Sequence, residues 1–357
     1  MDPATRFLSV FSDERANLDR VPTFVQGVLG GFVQKYESQL FDDCANELVF
    51  NTSIDPALVL GFDAVFASIP GSVICDSITI TDETGTEHKI GMSGQINREG
   101  SSYYKGGLIR SLETLEQLQA TMRIVDTSAQ IKETMNFYER ISNLIFPVPM
   151  IGGIFDTTWQ SMGFTTFAKE YRKNSKLYQE ILKNYAYITR ANVEKVTEAT
   201  GSQGKIINIL DDVAFKGHTI ISPGRWRQDL LPYYKEICSI IHDAGMHTMV
   251  HTDGDITDLV PSLIEAGFEG LQGWEGGADP RVIVDRFPDF VTVGWGDVGD
   301  VLPFGTPEKI EAHVVDLLNA LKENRHVVLG PSTVIFEKMP LENVCYFMAC
   351  IRAHGDY

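Results

Sequence analysis

Three short runs decide the fold: Lys205-Ile-Ile-Asn-Ile-Leu-Asp-Asp212, His247-Thr-Met-Val-His-Thr-Asp-Gly254 and Gly270-Leu-Gln-Gly-Trp-Glu275. Each is apolar and β-favouring, and each ends abruptly in a carboxylate, a histidine or a glycine turn. That pattern suits a buried parallel strand whose last residues face a site. A helical segment ending near Asp243 separates the first two runs, and strand–helix alternation is the repeating unit of an α/β barrel. In such a barrel the polar residues at the C-terminal ends of the strands carry the chemistry. Asp211, Asp212, His251, Asp253 and Glu275 are therefore the candidate wall of an active site.

Working outward, the same reading finds strands at 21–27, opening on Gln26, and at 61–69, 147–153, 290–297 and 326–331. Eight strands with no internal linker predict a single TIM (β/α)8 barrel domain over residues 1–357. Residues 1–20 are expected to form an N-terminal helix on the barrel's outside. Between 77 and 105 the period changes to the alternation of a hairpin about Asp82-Glu-Thr-Gly85, an inserted β excursion. The spacing predicts one helix over 114–137 and another throughout 169–200, with a pocket-shaping loop over 154–166 that contains Asp156 and Trp159. Thr306-Pro307 is a helix start signal, followed by an apolar stripe at Ile310, Val314, Leu317, Leu318 and Leu321.

The chain has 357 residues, of which 30 are basic and 48 acidic, a net charge of -18. That balance excludes a basic nucleic-acid or anionic-membrane footprint and is a poor field for a polyanionic substrate. Five dispersed cysteines without CxxC spacing (44, 75, 238, 345 and 350) read as reduced thiols. With neither a signal-peptide core nor a run of about 18 apolar residues, the expectation is a cytoplasmic protein.

His251 and Asp253, two apart at a strand end, point the same way and could bind a divalent metal or hold a proton. The plain alternative is a structural histidine steadied by Asp253. Asp211 and Asp212 lie on opposite faces, so one chemical role is expected between them, carried forward at Asp211. Glu275 could equally be a solvated loop acid. Trp226, Trp274 and Trp295 could be aromatic walls or core packing. No GxGxxG, GxxxxGK[ST] or GxSxG motif occurs.

Several motifs in order, Ser222-Pro-Gly-Arg-Trp-Arg-Gln-Asp-Leu-Leu-Pro232, Ile241-His-Asp-Ala-Gly245, His251-Thr-Asp-Gly254, Leu263-Ile-Glu-Ala-Gly267, Gly305-Thr-Pro-Glu308 and Gly330-Pro-Ser-Thr333, resemble the uroporphyrinogen decarboxylase superfamily, including its corrinoid methyltransferase branch. The likeness is strongest over about residues 140–350. The departures from it argue against decarboxylation. Where decarboxylases of the family carry an arginine-rich motif, an aspartate and a late histidine, this chain has Val25-Gln26-Gly27, Pro70 and Thr333. Thiol methyltransferases of the family hold zinc with His-x-Cys and a later cysteine. Here His251 matches, but Asp253 and Thr333 stand where thiolates would be.

The resemblance then implies a substrate-side methyltransferase. It would move a methyl group from a methoxylated, typically aromatic, compound to cob(I)alamin carried by a partner corrinoid protein. The absence of the Asp-x-His-x-x-Gly cobalamin signature agrees with a cofactor arriving on another chain. A phenol with a pKa of ~10 leaves better when protonated or metal-bound, so a general acid or Lewis acid is needed. His251 with Asp253, Asp211 or Glu275 would supply it. His251 and Asp253 would hold the metal, with zinc as the candidate, and Gln26, Trp159, Trp274, Trp295 and Thr333 would contact the substrate. The alternatives are a coenzyme M-like thiol methyltransferase, a decarboxylase-like enzyme and a non-catalytic binding barrel.

Overall fold

The computed structural model describes residues 1–42, 48–97, 104–201, 204–274 and 276–357. Glu275 and Cys44 lie outside the described residues, as does part of the expected β excursion. Eight strands form one parallel sheet in chain order: β1 Phe24–Val25, β2 Ala64–Ser68, β3 Phe146–Gly152, β4 Ile206–Leu210, β5 His247–Thr252, β6 Gly270–Gly273, β7 Val291–Gly296 and β8 Val327–Pro331. The ring closes between its first and last members, through a parallel bridge from Thr23 to Leu329 and a 2.9 Å bond from Leu329 N to the Pro22 carbonyl. This is the (β/α)8 barrel that the strand–helix alternation predicts.

Period-two alternation divides the core into two parts. Phe24, Ala64, Phe66, Phe146, Val148, Ile206, Met249, Val291, Val293 and Val328 point into the barrel, while Val65, Ile207, Ile209, Val250 and Leu271 pack against the helical layer. The helix Pro3–Ser9 does not lie on the outside as expected. Phe7 is fully buried within the interior cluster, 5.5 Å from the Phe146 ring and 6.1 Å from that of Phe24. The spacing of Phe7, Val10 and Leu18 gives this segment an apolar face that stoppers the N-terminal end. Asp63, just before β2, anchors the same end by accepting hydrogen bonds from Arg6 at 2.7 Å and from both terminal nitrogens of Arg20 at 2.8 Å.

The expected β excursion is present as two antiparallel hairpins, Ile78–Thr81 with Glu87–Ile90 and Gln95–Asn97 with Tyr104–Gly107. Two helical expectations and one loop expectation change. The 114–137 segment is two helices, Leu112–Thr121 and Ser128–Ile141, because Arg123–Ile124 leaves the helix to pair with Val73–Ile74. The 154–166 stretch is not a loop. It holds the helix Phe155–Met162 and, after Gly163 turns at φ 78°, the start of Phe164–Lys173. The 169–200 helix is interrupted at Asn174, whose φ of 48° is left-handed, and restarts behind a Ser175 cap as Lys176–Thr200.

Candidate active site

His251 is two per cent exposed and stands in register with Leu210 on one side and Gln272 on the other, all three facing inward. Two residues further along the inward face come Asp212 beyond β4 and Asp253 beyond β5. The Gln272 amide nitrogen donates to the Ser332 carbonyl at 2.8 Å, so its oxygen is turned to Nδ1 of His251 and accepts a hydrogen bond from it. Nδ1 therefore carries the proton. The Nε2 lone pair is left facing the open end, which is the usual arrangement of a metal-binding or proton-accepting imidazole.

Nε2 lies 3.6 Å from Oδ1 of Asp212 and 4.0 Å from Oδ1 of Asp253. The three ligand atoms all fall within 4.8 Å of one another. Both gaps from Nε2 are wider than a hydrogen bond, and neither exceeds two metal–ligand bonds of about 2.1 Å laid end to end. One imidazole and two carboxylates fit a divalent cation, with less preference for zinc than thiolates would give. The Asp253 amide donates to Asp212 Oδ1 at 3.2 Å, fixing that carboxylate against the neighbouring strand end.

Asp211 does not join this group. Its side chain turns outward, one per cent exposed, and accepts from the Tyr234 hydroxyl at 2.6 Å and from the Asp156 amide at 2.7 Å. The Tyr234 oxygen in turn accepts from Ile154 N at 3.0 Å. Asp211 thus acts as a sequence-remote cap for the helix Phe155–Met162. Burial, together with the charge of Asp212, pushes it up to about 7 against the opposing hydrogen bond from Tyr234. The inward carboxylate of the pair is Asp212.

Asp156, in the first turn of that helix, is buried and accepts from Gln160 Nε2 at 2.5 Å. Burial, with the charges of Asp212 and Asp211 added, pushes it up to about 8. The upward shift favours its protonated form near neutral pH. Trp159, one turn on, is half-buried and meets Tyr104 of the second hairpin edge-on at 5.6 Å. The hairpin comes this close because Gly107 has no side chain: a Cβ there would stand 2.1 Å from the Gln160 carbonyl.

The substrate contacts expected at Trp274 and Trp295 fall on a buried pair. Their rings stack on each other at 4.7 Å and 9°, buried at three and five per cent exposure, and both residues have left-handed backbones (φ 68° and 77°). Bulky residues in that region are strained, and such strain clusters at functional sites. Trp226 packs on Tyr234 in the helical layer. Thr333 donates to Gln26 at 2.8 Å, tying the ends of β8 and β1 together.

A cavity of about 1230 Å³ opens on the β1–β3 side of the mouth, bounded in part by Gln26, Phe66, Pro70, Tyr138 and Met150. His251, Asp212 and Asp253 are not in its lining. Phe66 joins the two regions, since it lines the cavity and meets the His251 ring edge-on at 6.0 Å. Asp212, named for the wall but set aside in favour of Asp211, Gln272, which sequence reasoning passed over, and Asp156, read only as part of a pocket-shaping loop, complete the group around His251. The signal for the first two was parity, two residues past inward Leu210 and level with inward His251.

Fold and site together define an α/β barrel with an imidazole and carboxylates converging at the C-terminal ends of its strands. The family model for uroporphyrinogen decarboxylase (URO-D) matches residues 3–354, and the chain belongs to that family. Among solved structures it is similar to a methyltransferase from Methanosarcina mazei, with 19% identity, 99% of each chain covered and a TM-score of 0.62. More distant likenesses include a putative vitamin-B12 independent methionine synthase from Listeria monocytogenes (10% identity, 94% of this chain and 96% of that one, TM-score 0.43). Another is a 3-keto-D-glucoside 4-epimerase from E. coli (12% identity, 72% and 99%, TM-score 0.40). No curated protein is similar enough to this chain to match it. No helix among the described residues is long and apolar enough to cross a membrane, and the four described cysteines are free.

Proposed function

We propose that the protein is a corrinoid-dependent methyltransferase that takes a methyl group from a methoxylated, aromatic small molecule and passes it to cob(I)alamin on a partner corrinoid protein. The observation that carries this reading is the convergence of His251 Nε2, Asp212 and Asp253 at an open mouth, beside a cavity whose described lining has no cationic side chain. Decarboxylation of a many-carboxylate substrate is disfavoured by the same lining. Gln26, Gly27 and Pro70 border the cavity where the family's decarboxylases carry charged groups. The Methanosarcina methyltransferase supports the choice of branch.

The reaction would break the methyl–oxygen bond, whose electron pair stays on the oxygen; the partner's corrinoid would supply the nucleophile that takes the methyl group. The barrel must make the oxygen a tolerable leaving group. A divalent metal held by His251, Asp253 and Asp212 would act there as a Lewis acid. Gln272 keeps the Nε2 of His251 turned to that position, and buried Asp156, with its raised pKa, is a candidate proton source. Leu29, Phe50, Phe215 and Phe304, exposed in segments that follow β1, β4 and β7, give the mouth an apolar rim suited to a docking protein.

Purified protein incubated with a reduced corrinoid protein and a panel of methoxyarenes is expected to yield free phenol and the absorbance of a methylated corrinoid. Absence of both across the panel would overturn the assignment. Methylation of a thiol acceptor instead would favour the reverse reaction.

A further inference from the structure

The large cavity differs from its surroundings in charge. Among its described lining residues are no lysine, arginine or histidine, whereas Glu37 and Glu133 stand exposed on its border. Cations close in sequence to the lining do not enter it: Lys35 donates to the Glu337 carbonyl at 3.0 Å, the Arg140 guanidinium lies over the ring of cavity-lining Phe137 at 5.9 Å, and Lys132 stands exposed beside Glu133. Phe66, Phe137 and Tyr138 contribute aromatic surface, and the Tyr138 hydroxyl is spent on the Ser68 carbonyl. A ring can lie against this surface, but an anionic substituent would lose water and find no cation to replace it. The chain's charge of -18 adds a repulsive long-range field.

We infer that the cavity sorts methyl donors by charge: it takes uncharged or cationic methoxyarenes and rejects those bearing a carboxylate or phosphate. This rests on the methyl-donor reading of the same site and narrows it. Acidic methoxyarenes of the right size are excluded by electrostatics rather than by shape. Glu37 and Glu133 act as selectivity residues for a cationic group at the border.

The test uses three probes of one shape, 4-methoxybenzyl alcohol, 4-methoxybenzylamine and 4-methoxybenzoate. Calorimetric titration into the full chain at pH 7 and low salt is read beside methyl transfer to a reduced corrinoid protein. The alcohol and amine are expected to bind, and the benzoate at least about tenfold more weakly. Added salt should shrink the amine's advantage over the alcohol, as should a Glu37→Gln, Glu133→Gln double variant. Benzoate binding as tight as the alcohol's, or no binding by any probe, would overturn the charge rule. Charge-ordered binding without transfer would remove the reaction and leave the rule; transfer indifferent to charge would do the reverse.

Discussion

Gln272 turns its side-chain oxygen to Nδ1 of His251 because its own nitrogen is committed to the Ser332 carbonyl. One buried amide therefore decides which imidazole nitrogen faces the mouth. Replacing it with a similar-sized apolar residue, Gln272→Met, frees the ring to take the other tautomer. Metal affinity, read by competition with a chelator, is expected to fall on the order of 10–100-fold while the fold persists. Affinity equal to the parent's would show that the amide does not set the ring.

Adjacent Asp211 and Asp212 should fail in different ways. Asp212→Asn removes one of three candidate ligands from a partly exposed position, so metal binding and turnover should drop with little change in Tm. Asp211→Ala strands the Tyr234 hydroxyl and the Asp156 amide, at about 1–3 kcal/mol for each, and should show as a lower denaturation midpoint. Paired thermal melts and metal titrations separate the two. Equal effects on both readouts would contradict the division of roles.

At the opposite end of the barrel, Asp63 is buried between Arg6 and Arg20 and also accepts from Thr23 N and Oγ1. Removing it leaves two guanidinium groups without their shared acceptor. Asp63→Ala is expected to lower stability by about 3–5 kcal/mol, as breaking a buried ion pair does. Urea unfolding measures it, and a loss under 1 kcal/mol would mark the cluster as a solvated surface pair.

Two carboxyl groups give opposite pH signatures. Asp156 is pushed up to about 8 by burial and by its acidic neighbours, so the native state holds a proton that the unfolded chain has already lost. Its contribution is complete below pH ~4 and declines as pH rises through about 8. For Glu269, burial raises the pKa, but hydrogen bonds with His242 and His247 outweigh it and bring the group down to about 2. Its contribution is present above the ordinary range and lost as pH falls through about 2. Stability against pH for Asp156→Asn should therefore be flatter than the parent's between pH 4 and 8; superimposable slopes would refute the assignment.

The barrel was legible because its strands are short apolar runs that end in polar residues, and the Thr306-Pro307 start with its stripe through Leu321 was equally plain. His251 and Asp253 were legible as a pair because two-residue spacing fixes a common face. Asp211 was chosen over Asp212 because a strand's parity cannot be anchored without knowing which neighbour faces inward; the buried Tyr234 hydroxyl that claims Asp211 comes from a distant helix. Gln272 sat in a run that reads as plain strand, and its role comes entirely from the Ser332 carbonyl just past the end of β8. The breaks at Asn174 and at Met122–Ile124 went unseen because tertiary pairing and one left-handed residue override helical periodicity.

Phe7 and its neighbours seal the far end of the ring, which makes the molecule a cup and not a pipe. A ligand at His251 therefore has the open rim, and not the far end, as its way in and out. A corrinoid protein seated on that rim would close the exit, so in a methyltransferase built this way the donor boards first, the partner lands second, and the demethylated product departs only after the partner lifts. Steady-state kinetics with both reactants varied should show that compulsory order.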